Sequence, residues 1–371
     1  MKYRQCTRCL MDTDEDPKIK FDSNGVCDFC RNAEKRIGVE YFPNEEGEKL
    51  LTSIISEIKA NCKDDEYDCL VGVSGGIDSS YILYKCHQLG LRMLAVHIDD
   101  GLDNPIAVEN LKKLSEHTNT KIISIKPYRE EYADLIYSLL KASVSNLAIA
   151  QDNLIVKALQ DYAEQNSIKY ILDGSNFAHE CILGRKYSVN SCDKKYILGI
   201  QKKFGRVKLE HLHFMSLRDR YIKRHKKSNP KHIRPLNLMN YNISNAIDEL
   251  RNFCGFEYYG GKHYESILTR FMQCYYLPIK FKIDKRKAHY SSLIVSGQIT
   301  REEGLHQLSM PLYKDEKTLE NDMAFLASYM GISLEELKRC IALPPVPDNK
   351  YRHSILNELA PIARKFRRIL E

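Results

Sequence analysis

Ser74-Gly75-Gly76-Ile77-Asp78-Ser79 is the stretch that decides the fold of this chain. The apolar run before it, 69–73, predicts a buried strand, and the run after it, 80–86, has helical spacing. Two glycines between a strand and a helix let backbone N–H groups approach an anion, and the helix N-terminus favours negative charge. The stretch matches neither Gly-x-x-x-x-Gly-Lys-Ser/Thr nor Gly-x-Gly-x-x-Gly. We therefore predict a phosphate-binding loop of another kind, against the alternative of a Ser/Gly-rich turn that caps an ordinary helix.

The segments around this loop alternate between strand and helix patterns. Strands are predicted at 67–73, 92–97, 121–126 and 169–172, with a short fifth strand at 232–236. The helices predicted between them are 78–89, 105–118, 128–142 and 150–166. This alternation predicts an α/β fold with a doubly wound parallel sheet. Because ligands of such sheets lie beyond the carboxyl ends of the strands, Asp99, Asp100 and the run 173–176 are expected at the site with the loop.

Composition and charge set the class of protein. The 371 residues are 43% hydrophobic and 28% charged, which is typical of globular domains. The formal net charge of +7 suits an anionic partner such as ATP, a nucleotide sugar, a sugar acid or RNA, and does not choose among them. The N-terminus lacks a signal-peptide pattern, and no apolar run approaches the ~18 residues of a membrane span. A cytoplasmic location without membrane contact is expected.

Four of the twelve cysteines form a metal-site pattern. Cys6-Thr7-Arg8-Cys9 is followed, after seventeen residues, by Cys27-Asp28-Phe29-Cys30, and the turn signal 22–25 lies between the pairs. Two C-x2-C pairs at this separation predict a closed four-thiolate zinc site with a structural role. Unconnected cysteines and an iron–sulfur cluster are the alternatives. The predicted organisation is a zinc module at 1–45, a nucleotide-binding domain at 46–255 with an insertion at about 181–231, and a mostly helical domain at 256–371. The helices predicted in the last domain include 264–273 and a final basic helix after the proline-rich run 344–347.

The loop, placed after a strand, resembles the PP-loop of ATP pyrophosphatases, which cleave ATP to AMP and pyrophosphate. Further stretches resemble one subfamily, the N-acetyl sugar amidotransferases of bacterial lipopolysaccharide, O-antigen and flagellar-glycan synthesis, whose sugars include nonulosonic acids. Besides the cysteine module, these stretches are 94–99, 170–178, 263–266, 269–271, 284–289 and 296–303. The resemblance implies a HUP-like fold and an ATP-dependent carbon–nitrogen ligase that converts an acetamido group into an acetamidino group.

The resemblance also implies roles for individual residues, with ATP, Mg²⁺ and structural Zn²⁺ as cofactors. The residues expected to bind ATP and pyrophosphate are Val73, Ser74, Gly75, Gly76, Ile77, Asp78, Ser79, Ser80, His97, Asp99, Gly174 and Lys203. The expected catalytic residues are Asp78, Asp173, Asn176 and His179, of which Asp78 and Asp173 would also bind Mg²⁺. The expected sugar-binding residues are Arg270, Lys285, Arg286 and His289. For His179, Lys203 and the last group, ordinary helix-start, loop and surface positions are the alternatives.

The source of ammonia is predicted to be a separate glutaminase. Residue 2 is lysine, and no Gly-x-Cys-x-Gly elbow occurs, so the chain has no recognisable glutaminase nucleophile of its own. The alternative function is a tRNA thiolase of the same superfamily, with Cys181 and Cys192 as its reactive thiols; otherwise no nucleic-acid partner is expected. A non-enzymatic nucleotide sensor or scaffold subunit is a third possibility.

Overall fold

The computed structural model describes residues 2–187, 189–221 and 229–357. Its central feature is a five-stranded, wholly parallel sheet with the strand order β3-β2-β1-β4-β5. The strands are Cys69–Gly72 (β1), Met93–Ile98 (β2), Ile122–Ile125 (β3), Tyr170–Leu172 (β4) and Lys231–Ile233 (β5). The predicted α/β class with a parallel sheet is confirmed.

The central position of β1 follows from its sequence. Cys69, Leu70 and Val71 are inaccessible to solvent, as expected for a strand covered by helices on both faces. Leu70 is in register with Leu94 of β2 and Ile171 of β4. The carboxyl end of β1, where the phosphate loop begins, is therefore flanked by the ends of its two neighbours.

Helices surround the sheet and form most of the C-terminal half. In chain order they are Asp28–Glu34 (α1), Glu45–Asn61 (α2), Ile77–Gln88 (α3), Pro105–Thr118 (α4), Arg129–Lys141 (α5), Ile149–Gln165 (α6), Phe177–Glu180 (α7), Lys194–Phe204 (α8), Leu217–Tyr221 (α9), Ile243–Cys254 (α10), Ile267–Phe271 (α11), Arg286–Val295 (α12), Arg301–Ser309 (α13), Glu316–Tyr329 (α14) and Leu334–Ala342 (α15). Within the described ranges, no helix combines the length and apolar character needed to cross a bilayer.

Two predicted elements differ from the structure because of proline. The helix expected from residue 264 begins at Ile267 and becomes a π-helix, Met272–Phe281, which contains Pro278. Proline has no N–H to donate and disturbs regular helix bonding, which favours such a local change. The strand expected at 232–236 ends at Ile233, because Pro235 cannot extend the ladder and begins a 3-10 turn instead. The predicted last basic helix falls largely on residues 358–371, outside the described residues.

The cysteine segment packs onto α12 rather than standing apart. The Leu10 N–H donates to the Ser291 Oγ at 3.0 Å, and the Lys287 Nζ donates to the Asp12 Oδ2 at 2.6 Å. The carboxylate of Asp12 is completely buried, so this ion pair lies inside the protein. Side chains of all three predicted domains share one apolar core, to which Cys27, Tyr137 and Leu337 belong. The N-terminal and C-terminal segments are thus one packed unit with the sheet domain.

Candidate active site

The loop after β1 is shaped by close backbone contacts. Gly75 has a φ of +72°, and a Cβ at this position would lie 2.3 Å from the carbonyl oxygen of Ala107. A Cβ on Gly174 would lie 2.9 Å from the backbone nitrogen of Ser79. The loop after β4 therefore packs directly against the start of α3. Only glycine meets both demands, because any side chain would collide with backbone atoms. The two loops therefore form one continuous wall.

The loop presents hydroxyl and N–H groups to the space outside the sheet. The hydroxyls of Ser74 and Ser79 lie 3.2 Å apart, and the Gly76 N–H donates to the Ser74 Oγ at 3.3 Å. The Ile77 N–H donates to the hydroxyl of Tyr259 at 2.9 Å. A phosphate group in this loop would replace hydroxyl acceptors, so the donors fit an anion. Ser80, in contrast, is fully buried, and its side chain lies away from the loop surface.

Asp78 is held from two sides at the start of α3. The His179 Nδ1 lies 3.1 Å from its Oδ1, and the hydroxyl of Tyr241 donates to the same oxygen at 2.5 Å. Burial would raise the pKa of Asp78, but His179, Lys262 and Tyr241 together lower it below its usual range. The Nε2 of His179 is buried and has no partner among the described residues. Asp78 is therefore a fixed, ionised carboxylate beside the loop.

The end of β4 supplies a second ionised carboxylate. Asp173 accepts from the Ser175 N–H at 3.1 Å, with Arg234 at 3.9 Å. Burial would raise its pKa, but His232, Ser175 and Arg234 lower it. Asn176 caps α7: its Oδ1 accepts from the His179 N–H at 3.0 Å, and its Nδ2 donates to the Gly174 carbonyl at 3.1 Å. Asn176 thus shapes the loop that carries Asp173.

The end of β2 contributes a buried histidine and an ion pair. His97 contacts the Val73 carbonyl oxygen through Nδ1 and the Asp103 carboxylate through Nε2, both at 3.0 Å. Burial lowers the pKa of His97, but Asp103 outweighs it, so that the pKa is raised. Asp99 pairs with Lys126 at 3.1 Å and does not line the site cavity. Both ring nitrogens of His97 thus have protein partners, and His97 braces the loop at Val73.

A single cavity of about 1360 Å³ joins these strand ends to the C-terminal helices. Asp78 and Asp173 both line it, as do the phosphate loop and the α11 region. Two ionised carboxylates in one cavity, next to a phosphate loop, are the hard oxygen ligands that Mg²⁺ prefers. The residues present therefore fit a nucleoside triphosphate with its magnesium ion.

The cavity also carries a group of basic side chains, which we call the cationic wall: Lys262, His263 and Lys285. His289, which was expected to bind the sugar, lies behind them with its ring 5.8 Å from that of His263 and is not among the lining residues. Burial, then Lys262 and Lys285, lowers the pKa of His289 well below its ordinary value. Burial also lowers the pKa of Lys285, which Asp152 across the cavity counteracts. The sequence singled out Lys285, and it contained His263 within the stretch 263–266 without giving it a role, whereas Lys262 and Asp152 belong to none of the stretches that carry the resemblance.

Several other predicted residues lie elsewhere. Lys203 is exposed at the end of α8, with its Nζ 5.1 Å from the ring centre of Phe204, and it does not reach the cavity. Arg270 is bound to Asp322 through two hydrogen bonds of 2.8 and 2.7 Å. Arg286 binds Asp284 and the carbonyl of Met310. These two guanidinium groups hold the C-terminal helices together, so the structure does not bring them to a ligand.

The four predicted metal ligands converge. All four sulfur atoms lie within 4.8 Å of one another, with 3.9 Å between Cys6 and Cys30 and 3.7 Å between Cys9 and Cys27. Thiolates at ~2.3 Å from one tetrahedral ion would be about 3.8 Å apart, which matches. Backbone N–H groups donate to the Cys6 and Cys27 sulfurs, as in thiolate sites. The cysteines are completely buried and leave no open position, so the residues fit a structural ion.

Comparison with family models divides the chain into two matched parts. Residues 49–214 match the model described as NAD synthase. Residues 265–363 match the model described as the C-terminal domain of WbpG-like LPS biosynthesis proteins. None of the curated proteins compared with the chain matches it. One part of the chain is thus similar to NAD synthases, and a later part is similar to a domain of lipopolysaccharide biosynthesis proteins.

Several solved structures are similar over much of the chain. One, an NMN synthetase from Francisella tularensis, has 14% identity over 81% of this chain and 98% of its own, with a TM-score of 0.36. An NH3-dependent NAD synthetase from Campylobacter jejuni has 18% identity over 48% of this chain and 78% of its own (TM-score 0.27). The U34-tRNA thiolase NcsA from Methanococcus maripaludis, with its [4Fe-4S] cluster, has 13% identity over 86% and 96% (TM-score 0.33). At these values the similarities carry no argument about the reaction.

Proposed function

We propose that this chain is an ATP-dependent amidotransferase that converts the acetamido group of a sugar into an acetamidino group. The observation that carries the proposal is the single cavity, which is lined by the phosphate loop and by Lys285 of the part that matches the lipopolysaccharide biosynthesis model. NAD synthases, whose model matches residues 49–214, are ATP-dependent carbon–nitrogen ligases. The two matches support one part of the chain that activates a nucleotide and a later part that binds a sugar acceptor.

The proposed reaction has two steps. The amide oxygen of the acceptor attacks the α-phosphorus of ATP, and pyrophosphate leaves. Ammonia then forms a bond to the activated carbon, and the carbon–oxygen bond to AMP breaks. The loop donors around Gly76 and Ile77 would stabilise charge on the departing pyrophosphate, and the carboxylates of Asp78 and Asp173 would hold Mg²⁺, which neutralises charge on the phosphates. The protein contributes mainly positioning and electrostatic stabilisation.

The cationic wall is proposed to bind an acidic group of the acceptor. Lys285 has no ion-pair partner within hydrogen-bonding distance in the described structure, whereas Lys262 lies 3.3 Å from Glu180. A lysine that faces a cavity without a paired carboxylate favours an incoming oxyanion. The carboxylate of a sugar acid and the phosphate of a nucleotide-linked sugar share this chemistry.

Replacing Lys285 by methionine should weaken the binding of an acidic acceptor and leave the binding of ATP unchanged. We expect the KM for the acceptor to rise about 10- to 100-fold, the equivalent of one lost charged hydrogen bond. This KM is measured from steady-state pyrophosphate release with N-acetylated sugars that carry a carboxylate, a nucleoside diphosphate or neither. Lys112→Met, at an exposed position on α4, is the control. A rise in the KM for ATP instead, or none at all, would refute this placement of the acceptor.

The purified chain should use ammonium salts and not glutamine. With ATP, ammonium and a suitable N-acetylated sugar, we expect stoichiometric AMP and pyrophosphate and a product one mass unit lighter, as exchange of O for NH requires. With glutamine alone the rate should stay at background, because ammonia is proposed to come from a separate glutaminase. Mass spectrometry of the sugar is the measurement. Rapid glutamine-dependent turnover by the single chain would contradict the proposal of a separate glutaminase. Failure with every sugar would contradict the proposed amidotransferase reaction.

The thiolase alternative has less support. Cys181 and Cys192 are both buried, and neither lines the cavity. Burial raises the pKa of Cys181 to about 11 and also raises that of Cys192. Reactive cysteines have accessible thiols of lowered pKa, so these two resemble packing residues. We place the reaction in the cytoplasm, where ATP is made and where the twelve thiols, all free in the structure, would stay reduced.

A further inference from the structure

Glu265 carries a buried carboxylate oxygen that the steps above do not use. It lines the cavity, its side chain is 15% exposed, and its Oε2 has no hydrogen-bond partner among the described residues. The nearest basic group, the His263 Nδ1, is 3.5 Å from the other oxygen, Oε1. A buried carboxylate oxygen without a donor costs free energy, so such a group signals a missing ligand that carries N–H donors or positive charge.

The backbone around Glu265 holds this carboxylate against the phosphate loop. The Asn104 N–H donates to the Glu265 carbonyl at 2.7 Å, and Asp103 forms an antiparallel bridge with Ser266. A Cβ on Gly76 would lie 2.8 Å from the Glu265 Oε1. The carboxylate therefore lies beside Gly76 at the edge of the cavity, although it comes from a distant part of the chain.

We infer that Glu265 binds the ammonia molecule and accepts a proton from it during the second step; this rests on the proposed function. Ammonia has three N–H donors and one lone pair. A hydrogen bond from one N–H to Oε2 directs the lone pair away from the carboxylate, towards the electrophilic carbon. The lone pair forms the C–N bond, the electron pair of the C–O bond leaves with AMP, and one proton of the nitrogen passes to Oε2.

The surroundings of Glu265 favour a small donor of this kind. Tyr258 and Tyr259 lie near it, and the Glu265 charge, after burial, contributes to raising the pKa of Tyr259 well above its ordinary value. Aromatic rings beside a carboxylate are suited to an ammonia or ammonium ligand. A divalent metal would need about six oxygen ligands, which this side of the loop does not offer.

The test compares the two half-reactions in Glu265→Gln. Exchange of labelled pyrophosphate into ATP, in the presence of acceptor, reports the first step and should stay near the wild-type rate. Amidine formation should fall about 100-fold or more, the usual range for loss of a general base. Hydroxylamine loses its proton more readily after attack, so its reaction should fall less than that of ammonia. Glu257→Gln, which removes an exposed carboxylate paired with Lys113, is the control.

Each outcome separates this inference from the proposed function. Wild-type protein without pyrophosphate exchange or amidine formation would overturn both. Active wild type, with Glu265→Gln equally active in amidine formation, would overturn the inference alone. An equal loss of exchange and of amidine formation would assign Glu265 to the handling of ATP, and an equal loss for both nucleophiles would exclude a proton-accepting role. Thermal melting of both variants confirms that they are folded.

Discussion

Asp78→Asn should reduce pyrophosphate release about 100- to 1000-fold, the range seen when one preorganised electrostatic group is removed from a site. Asparagine keeps the shape of the side chain and an oxygen for the Tyr241 hydroxyl. It removes the carboxylate that His179 and Lys262 help to keep ionised, and this carboxylate is the proposed magnesium ligand. The measurement is single-turnover pyrophosphate release at saturating ATP.

A matched control makes this result specific. Asp248→Asn removes an exposed carboxylate on α10, paired with Arg251, and should leave the rate unchanged. Because the pKa of Asp78 is lowered, its carboxylate is already charged throughout the neutral range, and the loss should be the same from pH 6 to pH 8. A variant that keeps the wild-type rate would remove Asp78 from the machinery, and a pH-dependent defect would point to another titrating group.

Removal of the ion from the four-cysteine site should destabilise the whole chain. Structural zinc contributes on the order of 10 kcal/mol in small peptides, and ~1 kcal/mol corresponds to roughly 2–4 °C in larger domains. We expect Cys27→Ser, or a strong chelator, to lower the melting temperature by about 10 °C or more. The metal content of the purified chain, measured by elemental analysis, should be one zinc per molecule.

The control for this second experiment is another buried thiol. Cys254 lies at the end of α10, outside the cluster, and Cys254→Ser should change the melting temperature by only a few degrees. If Cys27→Ser behaves like Cys254→Ser, the four thiols bind nothing that matters for stability. Iron in place of zinc would support the alternative cluster, whose thiolates bind different iron atoms and therefore lie farther apart than on a single ion.

The sheet and the phosphate loop are predictable because their signals are local. Apolar runs followed by glycine mark β1 and the loop, and the predicted helix at 105–118 matches α4 at both ends. The Asn104 side chain accepts from the Ile106 N–H, and Pro105 occupies the first turn. Both are residue types that favour a helix start, so this boundary is predictable from local sequence. The four cysteines are predictable for the same reason, since C-x2-C spacing fixes a turn.

The rest of the cavity is not predictable in this way. Lys262, Lys285 and Asp152 lie on separate segments of the chain, and only tertiary packing brings them to one cavity. Conversely, Arg270 is a residue type that suits an anion site, but its guanidinium group forms an ion pair with Asp322 of a neighbouring helix. Charge in a sequence does not reveal whether its partner is a ligand or the protein. The π-helix at Met272–Phe281 contains Pro278, and its departure from regular α-helical bonding escapes a prediction that rests on helical periodicity.

The seating of the N-terminal forty residues on α12 restricts how such enzymes can be recombined. One side of this helix binds Asp12 and Leu10 through Lys287 and Ser291, and the helix also carries His289 beside the cavity. A chimera that takes the C-terminal helices of a relative must therefore also take that relative's N-terminal segment. Such a chimera would replace both ends of the chain and retain the central sheet domain.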